Sequence, residues 1–333
     1  MRLPKIDPFV FGLAAAVALA ALWPEPGRSG GFLHWNWVTT YGVCAVFFLY
    51  GLTLAPERMR QGLTRWQAHV TVALTTFGVF PLLVLAGEAL APDLLPRAAE
   101  IGFFYVAALP STVSSSVAMV SLARGDVPVA IFNATLSSLI GVFITPLLMT
   151  WYLQAGGSHV PLLPTILKVV LLVLLPIVLG QVARIWLAGW AKRQAKLIKL
   201  ADRAVILAIV YGAFCDSVSE GVWQRNDPIV VAEIAVGAIV LFWLVFGVTT
   251  LAGRLLKMSP EERIAVQFCG SKKSLAAGVP LAPVIFAGRP DIGVIILPIM
   301  LFHFLQLLTV SFIATHYARR DTPAAAEPAS AKP

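Results

Sequence analysis

The sequence predicts an all-α polytopic membrane protein of ten transmembrane helices, and three observations carry that expectation. The 333 residues are 58% hydrophobic and only 13% charged, against about a quarter charged in soluble domains. The mean hydropathy of +0.83 is more apolar than one soluble core can hide. The apolar residues also fall into ten runs, most of them near the ~20 residues a helix needs to cross hydrocarbon. Together these exclude a cytosolic enzyme, a disordered regulator and a nucleic-acid binder, despite a sequence pI of 9.6. The net charge of +8 fits basic loops that orient a chain in a lipid bilayer. Cys44, Cys215 and Cys269 each lie inside an apolar run, with neither a disulfide framework nor metal-ligand spacing.

The expected spans are 8–23, 35–54, 69–91, 98–123, 127–153, 162–183, 199–222, 229–253, 262–286 and 291–317. Arg2 and Lys5 precede a short first run, as in a signal peptide. That run ends at Leu22-Trp23-Pro24 without a small-residue cleavage site, so it counts as a span. Residues 56–68, with Arg58, Arg65 and Trp66, form an amphipathic connector at the bilayer surface, as do residues 188–199 with Trp190 and its lysines. In the third span Thr76 lies one turn before Pro81, and the fifth carries Asn133, Ser137 and Ser138. The Ala/Pro/Lys/Glu-rich tail, 321–333, is expected to be disordered.

Charge placement tests the count. The side holding both termini carries 18 of the 25 basic residues, and the opposite side carries five, Arg28, Arg97, Lys168, Arg225 and Arg289. Basic loops stay in the cytoplasm, so both termini are cytoplasmic and the number of spans is even. The implied location is the plasma (inner) membrane of a bacterium.

Polar groups inside hydrocarbon are costly and therefore functional candidates. The fourth span contains Leu109-Pro110-Ser111-Thr112-Val113-Ser114-Ser115-Ser116. Pro110 removes a backbone hydrogen bond, which frees carbonyls and amides at membrane depth. The hydroxyls could serve as helix glue, but so many in a row favour a binding site. The ninth span contains Gln267-Phe268-Cys269-Gly270-Ser271-Lys272-Lys273-Ser274. Lys272 lies nine residues beyond Arg263, about 14 Å along a helix and near the middle of the bilayer. A lysine there costs about 2.5–3.5 kcal/mol on insertion scales. Asp216, in the seventh span a turn inside Glu220, lines an outer vestibule or pairs with a lysine. His303 and Gln306 share one face of the tenth span.

The two polar breaks fall in the fourth and the ninth span, the fourth of each group of five. Matching broken helices in halves of opposite orientation mark an inverted-repeat secondary transporter with its site at the repeat interface. The expected division is 1–157 for the first five-helix repeat and 158–320 for the second.

Leu122-Ala123-Arg124-Gly125-Asp126-Val127 after the hydroxyl-rich helix, and the Ser-Leu-Ala run after the break in span nine, resemble the sodium/bile-acid cotransporter superfamily. Within it, Thr112-Val113-Ser114-Ser115-Ser116 together with Phe268-Cys269-Gly270-Ser271-Lys272-Lys273-Ser274-Leu275 resemble the SBF-like branch. The resemblance covers residues 5–320. It implies a panel of spans 1, 2, 6 and 7 and a core of spans 3–5 and 8–10, with spans four and nine crossing beside the cation sites. By position, Ser115 and Ser116 fall near a Ser-Asn pair that binds sodium in other members. Gln267 falls where those members have a glutamate shared by two sodium ions, and Ser271 and Thr76 stand in place of glutamines. The ionised sodium ligand is thus replaced, and two lysines stand within five and six residues of it.

A nearby ammonium opposes sodium electrostatically. Either a lysine takes the place of a bound sodium, and coupling passes to protons or is lost, or the lysines bind an anionic substrate directly. The expected function is a symporter-like secondary transporter of a small organic anion working by alternating access. The candidate binding residues are Ser114, Ser115, Ser116, Asn133, Gln267, Ser271, Lys272, Lys273, His303 and Gln306. Thr76, Pro110, Thr112 and Asp216 are secondary candidates. No cofactor is expected, and the coupling ion is H+ or Na+. The alternative is a non-transporting membrane regulator or receptor, for example of ion homeostasis. An intramembrane enzyme has little support, because no acidic metal motif or nucleophile–base constellation is present.

Overall fold

The computed structural model describes residues 8–28, 31, 33–53, 64–156, 167, 168, 170–219, 221 and 229–319. Twelve helices make up the described residues, with no strand among them. They are α1 (Pro8–Leu22), α2 (Trp35–Thr53), α3 (Trp66–Leu90), α4 (Arg97–Ala108), α5 (Ser114–Leu122) and α6 (Val127–Ala155), followed by α7 (Val170–Arg193), α8 (Ala195–Ser219), α9 (Ile229–Leu255), α10 (Pro260–Gly270), α11 (Leu275–Ile285) and α12 (Ile292–Ala318). By length and composition α3, α6, α7, α9 and α12 can each cross a membrane. Leu82, Leu147, Trp186 and Phe312 expose more than half of their surface, which a water-soluble protein avoids over so wide an exterior. The chain is a multi-pass integral membrane protein.

Local chemistry sets the ends and irregularities. Asp126 caps α6 by accepting from the Val129 amide at 3.0 Å. Ser259 and Glu262 form a reciprocal capping box on α10, with Pro260 in its first turn. In α3 the turn Thr75–Val79 is a π-turn immediately before Phe80-Pro81. The Phe80 amide reaches back to the Thr75 carbonyl, and Pro81 has no N–H to give. The Thr76 carbonyl is thereby left without a donor from its own helix. Another π-turn, Val170–Leu174, stands the same distance ahead of Pro176.

The chain breaks inside two of the sequence-predicted spans. The fourth becomes α4 and α5 with an extended turn at Leu109 between them. The ninth becomes α10 and α11, with Ser274 capping α11 through the Ala277 amide. One expectation is corrected. The stretch 188–199 is not a separate surface connector: α7 runs to Arg193 and α8 starts at Ala195, because its polar residues occupy the open face of apolar helices. The 157/158 repeat boundary, Arg58 of the first connector, Glu220 and the tail 321–333 lie outside the described residues.

Packing divides the helices into two groups. In one, α2 lies along α7, and α1 and α2 both pack on α8. Gly51 and Gly180 let α2 and α7 touch backbone to backbone, since a Cβ on either would overlap the carbonyl of Ile177 or Phe48. In the other, α12 packs on α4 and α9, α10 on α9 and α3, and α6 on α4 and α5. The groups meet where α2 and α8 face α11 and α12.

Candidate functional site

The two broken helices cross at their breaks and exchange hydrogen bonds there. The Ser274 amide donates to the Pro110 carbonyl at 2.9 Å. The Ser111 hydroxyl donates to the Cys269 carbonyl at 2.6 Å, and the Ser111 amide donates to the Ser137 hydroxyl at 2.9 Å. Thr145 covers the Ala108 carbonyl at 2.7 Å. Pro110 ends α4 by lacking a donor, and groups from other helices take up what it frees.

Two carbonyls of that turn, Ala107 and Leu109, go to Lys273. Its ammonium donates to both at 2.7 Å, and to the Thr76 carbonyl of the π-turn at 2.7 Å. All three of its N–H groups are therefore engaged. It also lies 4.1 Å from the Phe80 ring centroid, which adds cation–π attraction. Gln306 clamps the same residue's backbone, accepting from the Lys273 amide and donating to its carbonyl at 2.8 Å each. His303 Nδ1 lies 2.8 Å from the Gln306 amide nitrogen. Lys273 is fully buried, with its charged end held by three backbone oxygens.

Lys272 is equally buried but differently held. Its ammonium donates to the Ser115 hydroxyl at 2.8 Å. Ser115 passes a hydrogen bond to Thr112 at 2.9 Å, and Thr112 and Ser116 share one at 2.8 Å. Ser116 reaches the Phe268 carbonyl at 3.4 Å. Thr112, Ser115 and Ser116 thus form one chain of hydroxyls ending on Lys272.

Ser115 and Thr112 face a cavity of about 1050 Å³ between the two helix groups. Pro110 and His303 line the same cavity, as do Tyr50, Ser138 and Asp202 from three further helices. Neither Lys272 nor Lys273 lines it, whereas Lys199 and Arg203 of α8 do, so an anion in this cavity would not touch the two crossing lysines directly. The Ser115 hydroxyl stands between such an anion and Lys272.

The remaining predicted residues disperse. Gln267 donates to the Thr250 hydroxyl at 2.8 Å, away from the lysines. Ser271 folds back on the Gln267 carbonyl at 2.6 Å. Asn133 lies 3.1 Å from His69 Nδ1 and donates to its own helix at Val129. Thr76 contributes its carbonyl, while its buried hydroxyl has no partner among the described residues. Ser114 opens α5, but its side chain lies outside the described part. Asp216 is half-buried on α8, and the described partners of the two ammonium groups are Ser115 for Lys272 and the Thr76, Ala107 and Leu109 carbonyls for Lys273. His69 and Asp202 were not singled out from sequence. The proximity of Asp202 to Lys199 and Arg203 marks a solvated helix face as readily as a cavity wall.

Apolar helices enclosing two broken ones, which cross beside buried cations and an open cavity, are the build of a membrane transporter. The chain belongs to the SBF-like CPA transporter family, which it matches over residues 7–319. It is 41% identical over 326 residues to "Uncharacterized protein PA2026" of Pseudomonas aeruginosa, covering 98% of this chain and 97% of that one. It is 36% identical over 324 residues to "Putative symporter YfeH" of Escherichia coli, covering 96% of each. Sodium/bile acid cotransporter 7 of Rattus norvegicus is 28% identical over 312 residues, covering 92% of this chain and 90% of the relative.

Proposed function

We propose that this chain is a secondary transporter of a small organic anion, working by alternating access and coupled to protons or uncoupled, not driven by sodium. In this reading α1, α2, α7 and α8 form a panel, and the core of α3–α6 and α9–α12 moves against it. The two five-helix repeats are residues 1–157 and 158–320. The chain lies in the inner membrane of a bacterium with both termini in the cytoplasm. The charge asymmetry of 18 to five basic residues supports the orientation, and the close packing of α2 on α7 and of α1 and α2 on α8 supports the panel.

The observation that carries the coupling is the Lys273 ammonium among the carbonyls of Thr76, Ala107 and Leu109. A tethered cation there supplies the charge that a bound sodium would bring, and it cannot leave with the substrate. The 1050 Å³ cavity supports an anion meeting the hydroxyls of Ser115 and Thr112. On binding, the Ser115 hydroxyl would turn its hydrogen from Thr112 to the anion, with Lys272 stabilising the charge from behind.

The test is a thermal-shift titration of the purified protein, followed by flux in proteoliposomes. Sodium is expected to give no saturable shift in the millimolar range beyond that of potassium at equal ionic strength. Flux of anions from a panel is expected to be the same in either cation. A sodium-specific shift or a sodium-dependent flux defeats the tethered-cation reading. Absence of flux for every anion in the panel favours the regulator or receptor.

A further inference from the structure

We infer that the end of α10 remote from the crossing carries a second anion site, one that takes a phosphate group. A pocket of about 190 Å³ opens there, lined by Thr250 and Arg254 of α9, Arg263 and Gln267 of α10, and Tyr317 of α12. It shares no lining residue with the large cavity. Arg254 and Arg263 both line it, and among the described ion pairs neither takes part. Of the two acids in the first turn of α10, Glu262 accepts from the Ser259 amide at 2.9 Å and pairs with Arg65 at 3.1 Å, and the exposed Glu261 does not line the pocket.

The rest of the pocket is built and satisfied. Gln267 donates to Thr250, and Thr250 donates to the Phe246 carbonyl at 2.7 Å. Tyr317 stacks on Phe268 with ring centroids 6.1 Å apart and walls one side. Two arginines lining one pocket with no acid in its wall repel each other until an anion bridges them. The planar fork of arginine matches the oxygens of a phosphate two at a time, and a tetrahedral anion can engage both forks at once. Arg254 lies in the last turn of α9 and Arg263 in the first turn and a half of α10. The pocket therefore stands where the apolar helices α9 and α12 end, at the depth of lipid headgroups. The phosphate can come from an anionic phospholipid or from the aqueous phase.

The experiment follows the melting temperature of the full-length protein under two additions. One is inorganic phosphate against chloride at equal ionic strength, in phosphatidylcholine nanodiscs. The other is replacement of part of the phosphatidylcholine by phosphatidylglycerol. A saturable rise is expected in at least one arm, and its loss in the Arg254→Gln/Arg263→Gln variant. A rise with phosphatidylglycerol alone assigns the site to a lipid headgroup, and a rise with inorganic phosphate assigns it to a soluble phosphate. Should the double variant fail to fold, Arg254→Gln alone, at an exposed position, must weaken the response. No rise in either arm, or a rise unchanged in the variants, overturns the proposal.

Discussion

A lysine ammonium carries three N–H bonds, and the difference between Lys272 and Lys273 lies in how many of them are met. Lys273 spends all three on carbonyls at 2.7 Å, whereas the described partner of the Lys272 ammonium is one hydroxyl. Lys273→Met leaves three buried carbonyls without a donor, at about 1–3 kcal/mol each. It is expected to lower the melting temperature sharply and to abolish transport. Lys272→Met removes a buried charge while Ser115 keeps its bond to Thr112, so a small stability change and a weakened anion affinity are expected. Melting curves and flux on both variants check this, and equal behaviour of the two would make the pair purely structural. The sequence brought these lysines and the serines to one place through their cost in hydrocarbon. It did not tell the two lysines apart, because the acceptors that hold Lys273 are backbone oxygens, and backbone oxygens have no residue letter. Gln267 shows the converse, since its position along the helix says nothing about which neighbour its amide finds, and it found Thr250.

At the level of the element, prolines decide where carbonyls come free. Pro110 and the hydroxyl run made the break in the fourth span legible, and glycine and serine around the lysines did the same for the ninth. The π-turn of α3 was not legible. A proline within a helical run can kink it, end it or widen one turn, and the outcome depends on which donor meets the displaced carbonyl. Here that donor is Lys273, 197 residues away from Thr76. Pro81→Ala is therefore a test with an inverted sign. Replacing an interior helix proline by alanine ordinarily stabilises by about 3 kcal/mol. The backbone N–H restored by this substitution would let α3 close to an ordinary α-turn and compete for the oxygens that serve the ammonium. The expected result is an unchanged or lower melting temperature. A large rise would show that the π-turn has no part in holding Lys273.

Across the whole molecule, apolar runs revealed the helical, membrane-embedded character, with most helix ends falling within a few residues of the expected spans. The cavity was beyond reach of the sequence, because its wall is assembled from side chains of helices far apart in the chain. Tyr50 and Asp202 face it without any local pattern to distinguish them, and Ser138 stood out only as a hydroxyl inside an apolar run. Ser115→Leu tests the cavity's role and also removes the described partner of the Lys272 ammonium. The half-buried Ser115 lies on the cavity wall, so the variant is expected to insert with a lowered melting temperature and to lose any anion-induced shift. Full anion binding by that variant would place the ligand elsewhere.

The arrangement around Lys273 also dictates an order of manufacture. Its oxygens at residues 76, 107 and 109 emerge from the ribosome long before the ammonium, which follows Leu109 by 164 residues. Until then those oxygens wait in the bilayer without this donor, and the later segment in turn enters with a charge that only the earlier one can accommodate. The chain through α6 is thus half of a joint and not a freestanding product. A nascent chain interrupted before α10 offers the cell's membrane proteases an unfinished substrate, so the same residue that completes the crossing also certifies that synthesis reached the far end.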